Sequence, residues 1–346
     1  MLQPTPTSAM LRETRETPEA IARLFNREGA AIRALGRRLA ARAPPLVVTC
    51  ARGSSDHAAH YLKYLLETMA GIPVASMGPS VASVYRTRLR LAGAVVVTIS
   101  QSGRSPDLLA FQAAARAGGA LAVALVNDTS GPLADGADIV VPLHAGPEAS
   151  VAATKSFVAS AAAAAALVAA WSGDAALEVA LSSLPERLSA SLDCDWSAAA
   201  SILAGAPSCF MLGRGPALAI AHEAALKAKE VAGRHAEAFS LAEVMHGPLQ
   251  LVTPGFPVLA FVPDDAARSA NLDALRRLEA IGGLVLTASP VPGLPGTPLP
   301  AATCSHGALD PLGMVLAYYR LIESVARARG LNPDQPSQLS KVTQTV

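Results

Sequence analysis

Two runs of small polar residues stand where apolar runs stop. Val95–Ile99 empties into Ser100-Gln101-Ser102-Gly103-Arg104-Ser105, and Leu46–Cys50 empties into Ala51-Arg52-Gly53-Ser54-Ser55. A helix-like stretch follows each, "PDLLAFQAAARAG" and "DHAAHYLKYLLETMA". In an open parallel sheet, ligands bind beyond the carboxyl ends of the strands. Backbone N–H groups at a helix start attract an anion, and the helix dipole adds to that pull. The serine hydroxyls and the Gln101 amide supply further donors, and Gly103 lets the backbone approach closely. One such loop alone is equally well read as a serine-rich cap. Two loops at successive strand ends would aim at one crevice. Neither has the G-x-G-x-x-G spacing of a dinucleotide site or the G-K-[ST] ending of a P-loop. A single phosphate on a small molecule fits better than ATP or NAD.

A second group of residues has acid–base character. Lys227 and Glu230 stand three apart in "ALKAKE", and His246 sits in "MHGP". Taken singly, each has a plain reading. Lys227 and Glu230 would form a helical ion pair worth about 0.2–0.5 kcal/mol, and His246 would cap local structure before Gly247-Pro248. Lys341 lies in a C-terminal tail, where order is often lost.

The elements that must position these groups follow from composition and pattern. The chain has 346 residues, enough for two domains, and is 51% hydrophobic and 16% charged, as a core-rich globular protein is. A formal charge of +1 without long single-sign runs argues against nucleic acid or an anionic membrane as partner. Cys50, Cys194, Cys209 and Cys304 show no C-x-x-C pairing, so neither a zinc site nor a disulfide framework is expected. The N-terminus lacks the apolar core of a signal peptide. "FVASAAAAAALVAAW", Phe157 to Trp171, is short for a membrane span and reads as a buried helix. A soluble, cytoplasmic chain is expected.

Residues 13–41 carry helical spacing and stop at Pro44-Pro45. Unalternating apolar runs then alternate with helical stretches, the pattern of parallel strands covered on both faces. The pattern recurs. Arg52-Gly53 and Arg214-Gly215 stand 162 apart, as do His60 and His222. Arg104-Ser105 and Arg268-Ser269 stand 164 apart, as do Gly118-Gly119 and Gly282-Gly283. The fold class expected is α/β, with two tandem copies of one domain, each a parallel sheet flanked by helices on both faces. The expected divisions are a helical segment at 1–44, the first copy at 45–172, a helical linker at 173–204, the second copy at 205–330, and a tail at 331–346.

"GSS", "SQSGRSPD", "EASVAATKSF" and "EAALKAKEVAGRHAEAFSLAEVMHGPLQLV" occur in an order that resembles the sugar isomerase (SIS) family. More narrowly they are similar to the isomerase half of glucosamine-6-phosphate synthase. "PSVASVY" and the final "LSKVTQTV" bring the whole closest to the stand-alone SIS-type glucosamine-6-phosphate deaminases. The resemblance runs from about residue 45 to the C-terminus.

It implies a sugar-phosphate ligand. Gly53, Ser54, Ser55, Ser100, Gln101, Ser102 and Ser105 would line the phosphate site, and Val151 and Ala152 would meet the sugar through backbone groups. Glu230 matches a proton-shuttling glutamate and His246 a ring-opening histidine. Lys227 and Lys341 match the lysines near the sugar's carbonyl carbons, Lys341 at a Schiff-base position. The chemistry demands such a set on its own terms. Moving a proton from C2 to C1 needs one carboxylate, whose basicity burial raises. Ring opening needs a group titrating near neutrality. The developing charge needs a cation.

The reaction implied is D-glucosamine 6-phosphate plus water giving D-fructose 6-phosphate plus ammonia, with no metal, nucleotide or flavin. No glutamine-hydrolysing domain is recognisable in the sequence, so net deamination is expected over synthesis. A synthase-like isomerase, a sugar-phosphate deglycase, a galactosamine 6-phosphate deaminase and a non-catalytic sugar-phosphate sensor remain alternatives. The resemblance also implies a homodimer, with His246 completing the neighbour's site. The roles of Arg52 and Arg104 stay open.

Overall fold

The computed structural model describes residues 7–341; the first six residues and 342–346, the end of the expected tail, lie outside the described residues. After α1 (Ala9–Arg15) and α2 (Thr17–Arg42) come β1 (Val47–Cys50), α3 (Ser54–Leu65), β2 (Val74–Ser76), α4 (Ser80–Ser83), β3 (Val95–Ser100), α5 (Pro106–Ala117), β4 (Leu121–Val126), α6 (Pro132–Asp135) and β5 (Ile139–Pro142). The helices α7 (Lys155–Ser172), α8 (Ala175–Ser191) and α9 (Ser197–Gly205) follow. The chain then runs β6 (Ser208–Gly213), α10 (Pro216–Ala232), β7 (His235–Ser240), β8 (Pro257–Phe261), α11 (Arg268–Ala280), β9 (Leu284–Ser289), β10 (Thr297–Pro300) and α12 (Asp310–Ala328).

The strands form two five-stranded sheets, in the orders β2-β1-β3-β4-β5 and β7-β6-β8-β9-β10, with every neighbour parallel. Counted from the first strand of each copy, the two orders are the same. The register agrees as well: Val47 pairs with Val95 in one sheet and Phe210 with Val258 in the other, each 48 residues on. Gly53 and Gly215, which open α3 and α10, adopt φ 54°, ψ −133° and φ 60°, ψ −136°. Both lie in a region that only glycine enters without strain. The repeat in the sequence is therefore a repeat in the backbone.

The central strands are apolar throughout because helices cover both faces. Every residue of β1, β3 and β8 is buried. Phe111 and Leu108 of α5 pack with Val48 and Val96 in one core. In the other, the Phe210 ring meets Phe239 and Phe256 edge-on, with centroids 5.1 and 4.8 Å apart, the geometry that ring quadrupoles favour. The helix α7 is long and apolar enough to cross a membrane by length and composition, and 83% of it is buried within the protein. All four cysteines are free.

The chain divides into two compact units that do not follow the repeat end to end. One comprises Glu19–Gly146 and Ser156–Pro185, including the first sheet. The other comprises residues up to Pro18, Pro147–Lys155 and Glu186–Lys341, including the second sheet. In the first unit, α2 and α7 approach closely at Gly36, where a Cβ would stand 2.7 Å from the Leu167 carbonyl oxygen and from Ala170 Cβ. In the second, α1 is tied to the far end of the chain. The Asp334 carboxylate accepts the N–H groups of Ala9 and Met10, both at 2.8 Å, and the Ser8 hydroxyl donates to Glu323 at 2.6 Å.

Candidate functional site

The hydroxyl-rich loops belong to the unit that holds the first sheet. β1 and β3 are neighbours, so the loops that follow them leave the same edge of the sheet. The β3–α5 loop is folded on itself. The Gly103 N–H donates to Ser100 Oγ at 3.0 Å, and the Arg104 N–H to Ser102 Oγ at 3.4 Å. Gly103 has φ +64°, and a Cβ there would stand 3.1 Å from Val126 Cγ2 and 3.2 Å from the Asp128 carbonyl oxygen. Only glycine meets both conditions. Among the described residues, neither the Ser100 nor the Ser102 hydroxyl has an acceptor for its proton. Ser55, Gln101 and Ser102 are half-buried, and Ser54 and Ser100 are buried.

Ser105 is committed differently. Its hydroxyl donates to the Asp107 carboxylate at 2.7 Å, so it offers an anion no proton. Asp107 is fully enclosed and also accepts Arg52 Nε at 2.7 Å. Burial works to raise the Asp107 carboxyl, but the hydrogen bonds from Ser105 and Arg52, the Arg52 charge and the Leu108 N–H together hold it below the usual range. Arg52 and Asp107 thus clamp one hydroxyl loop to the other. Arg104 reaches sideways to Asp128 and Ser130, at 3.2 and 3.1 Å, on the surface.

The second copy holds no hydroxyl cradle. After β8 the equivalent loop reads Val262-Pro263-Asp264-Asp265-Ala266-Ala267. Asp310 accepts the N–H groups of Asp264 and Cys304, at 3.0 and 2.9 Å, and burial pushes its carboxyl up to about 6. Carboxylates there would repel a phosphate. Of the two repeats, the first alone carries anion-binding chemistry at this loop.

The acid–base residues belong to the unit with the second sheet. The helix α10 starts with Pro216 at its first turn and stops at Gly233, which takes the left-handed conformation that ends helices. It lies against β6, β7 and α12. Being covered on several sides, it is Ala-rich and buries Lys227 completely. Lys227 Nζ lies 3.1 Å from Glu223 and 2.8 Å from Glu230. Glu223 is fully enclosed, while the Glu230 side chain is 24% exposed. Burial alone would strip the Lys227 proton, but the two carboxylate charges and their hydrogen bonds outweigh it and raise the group above its ordinary value. The two carboxylates thus favour the protonated ammonium form of Lys227. The ion pair expected from sequence is present, though in the interior rather than on a solvated face. Glu230 is the member of the trio open to solvent.

His246 is exposed, between the short turns Glu243–Met245 and Gly247–Leu251. Its ring makes no hydrogen bond among the described residues.

The segment Pro147–Lys155 carries Val151 and Ala152. The Val151 N–H is already taken by the Asp334 carbonyl at 3.1 Å, and Ala152 is fully buried. Lys341 joins this segment: its ammonium donates to Glu148 at 3.2 Å and to the Ser150 carbonyl at 2.6 Å. Glu13, from α1, accepts the N–H groups of Ala149 and Ser150. Burial first, then the Glu148 charge, raise the Glu13 carboxyl against those two hydrogen bonds. Glu16, the residue that caps α1, pairs with Lys155 at 2.6 Å. So α1 fixes the segment from which Val151 and Ala152 project.

Glu13, Glu223 and Tyr319 are absent from the sequence-derived set. Glu223 stands four residues before Lys227, a spacing that marks it as a helical neighbour. Glu13 and Tyr319 meet their partners across 136 and 96 positions, and no local signal finds them. The buried thiols of Cys50, Cys209 and Cys304 are pushed up to about 12 by burial, so none is a thiolate at neutral pH. Among the described residues, no group of three or more His, Cys, Asp and Glu side chains could hold a metal.

Residues 44–170 and 202–288 match the SIS domain. The chain belongs to the SIS family. Its two tandem SIS domains are the two parallel sheets with their flanking helices. The glutamine–fructose-6-phosphate aminotransferase (isomerizing) of Aeropyrum pernix is 34% identical over 354 aligned residues, covering 96% of this chain and 56% of that protein. The chain spans about half the length of the curated relatives it matches. A solved chain from Silicibacter pomeroyi, provisionally described as a phosphosugar isomerase, is 44% identical with TM-score 0.90, covering 95% of this chain and 100% of that one. The C-terminal domain of glucosamine-fructose-6-phosphate aminotransferase from Francisella tularensis is 26% identical with TM-score 0.83, covering 96% and 99%. This SIS protein is thus similar to both solved chains over about 95% of its length.

Proposed function

We propose that this SIS protein is an isomerising enzyme of amino-sugar phosphates, acting at C1 and C2 of D-glucosamine 6-phosphate. The observation that carries the reading is the buried Glu223–Lys227–Glu230 group, in which one carboxylate stays open beside a fixed cation. His246 opens the pyranose ring. Glu230 takes the proton from C2 and returns it to C1. The Lys227 ammonium stabilises the negative charge that builds on the way. The free hydroxyls of Ser55, Ser100 and Ser102, with the Gln101 amide and Gly53-Ser54, hold the phosphate. The ketimine formed at C2 is hydrolysed to D-fructose 6-phosphate and ammonia. The enzyme works in the cytoplasm as a homodimer, with His246 serving the neighbouring subunit.

The curated relatives favour a second reading more directly. They are named as aminotransferases, and the same carbon chemistry run in reverse makes the amino sugar. One experiment separates the two. Purified protein is given glucosamine 6-phosphate in one tube, and fructose 6-phosphate with glutamine or ammonium in another. Ammonia and fructose 6-phosphate appearing in the first supports deamination. Amino sugar forming in the second, without ammonia in the first, supports the synthase-like reading. Tight sugar-phosphate binding with turnover in neither tube overturns both and leaves a sensor.

A further inference from the structure

Two carboxylates in α10 compete for one buried ammonium, and α12 intervenes in the competition. Tyr319 donates its hydroxyl to Glu223 Oε1 at 3.0 Å, the same oxygen that stands 3.1 Å from Lys227 Nζ. Tyr319, Glu223 and Lys227 are all fully enclosed. A buried carboxylate that gains a hydrogen bond spreads its charge over that bond and pulls less on its other partners. What Glu223 gives up in hold on Lys227 is left to Glu230.

We propose that Tyr319 is a positioning residue: by donating to Glu223 it keeps the Lys227 ammonium turned toward Glu230, the carboxylate open to substrate. The role assigned to Glu230 rests on the function proposed above; the geometry of the trio does not. Other charged or titratable groups act on this region. They are Tyr318 from α12, Cys209 from β6, and Glu148 from the Pro147–Lys155 segment. Tyr319 itself stays protonated, since burial and then the Glu223 charge hold it well above its ordinary value.

The neighbouring residue supplies the control. Tyr318 is equally enclosed, but its hydroxyl donates to the Ala224 carbonyl at 2.8 Å, a backbone group outside the trio. Tyr319→Phe and Tyr318→Phe each remove one buried hydroxyl and no other heavy atom. The first readout is independent of turnover: the side-chain ¹⁵N resonance of Lys227, assigned with Lys227→Arg. It is expected to move in Tyr319→Phe and to stay in Tyr318→Phe. The second readout is kinetic. Tyr319→Phe is expected to lower kcat roughly ten- to hundredfold with KM within about twofold, because no substrate contact is touched. In a Glu223→Gln background, where residue 223 no longer brings a charge to Lys227, the same change is expected to do almost nothing further. An unmoved Lys227 resonance in Tyr319→Phe, or equal shifts in both variants, overturns the proposal. Full additivity with Glu223→Gln overturns it too. A moved resonance in a protein that turns over no amino-sugar phosphate keeps the positioning role and sinks the function.

Discussion

Replacing Gly103 by alanine tests whether the β3–α5 loop is shaped for a phosphate or merely tolerates glycine. Its φ of +64° costs an L-residue about 1–2 kcal/mol. The added Cβ would also stand 3.2 Å from a backbone oxygen and 3.1 Å from Val126 Cγ2. The backbone oxygen cannot swing aside as the end of a side chain can. Relieving that crowding costs about 1–3 kcal/mol more, or disturbs the bonds from the Gly103 N–H to Ser100 and from the Leu133 N–H to the Gly103 carbonyl. Gly93 separates the two terms. It has φ +82°, and its Cβ would meet nothing nearer than Pro45 Cδ at 4.0 Å. Gly93→Ala should therefore lose about 1–2 kcal/mol in urea denaturation, and Gly103→Ala about 2–5 kcal/mol. Binding of fructose 6-phosphate, measured by calorimetry, should be unchanged in Gly93→Ala. In Gly103→Ala the displaced loop should lose one hydrogen bond to a charged group, roughly 10- to 150-fold in Kd. Equal stability losses in the two variants would refute the steric argument. An unchanged Kd in Gly103→Ala would refute the assignment of the loop to phosphate.

Two further outcomes are expected. Glu13→Gln turns an amide N–H₂ toward one of the Ala149 and Ser150 N–H groups. It should cost about 1–3 kcal/mol in urea and raise KM for the sugar phosphate, whereas Glu16→Gln, with half its side chain exposed, should do less on both counts. Asp310 is raised to about 6 on folding, so it favours the folded state while protonated, and that contribution fades as pH climbs from about 4 through 6. Wild type should be more stable than Asp310→Asn at pH 4.5, with the gap narrowing by about 2 kcal/mol by pH 7. A gap that widens with pH rejects that account.

Much of the architecture is legible in the chain because the code is local. Uniform apolar runs such as Val95–Ile99 declare strands covered on both faces, and the 162-residue offset of Arg-Gly declares the duplication. β2 is harder to see. It has three residues, of which Val74 alone is buried, too short to show any period. β10 carries Pro298 and Pro300, which speak against a strand except at a sheet edge, where it lies. The serine loops are legible as anion donors, but the loss of Ser105 to Asp107 depends on a side-chain choice made only after folding. The Lys227–Glu230 pair is legible from spacing. Its burial is not, since it depends on α12 and two strands closing over α10.

The ties between α1 and Asp334 have a consequence for synthesis on the ribosome. The residues they join are made 324 and 325 positions apart. At about 5–20 residues per second that is a wait of roughly 16–65 s. Seven residues, Ala9–Arg15, are too few to hold a helix alone in water. The α1 helix thus folds only after the chain around Asp334 has been made. Because its Glu13 holds the Ala149 and Ser150 N–H groups, the segment bearing Val151 and Ala152 is not set until the ribosome has passed Asp334. A nascent chain halted before that point has both sheets translated but lacks the contacts that hold α1, and with it Glu13, in place.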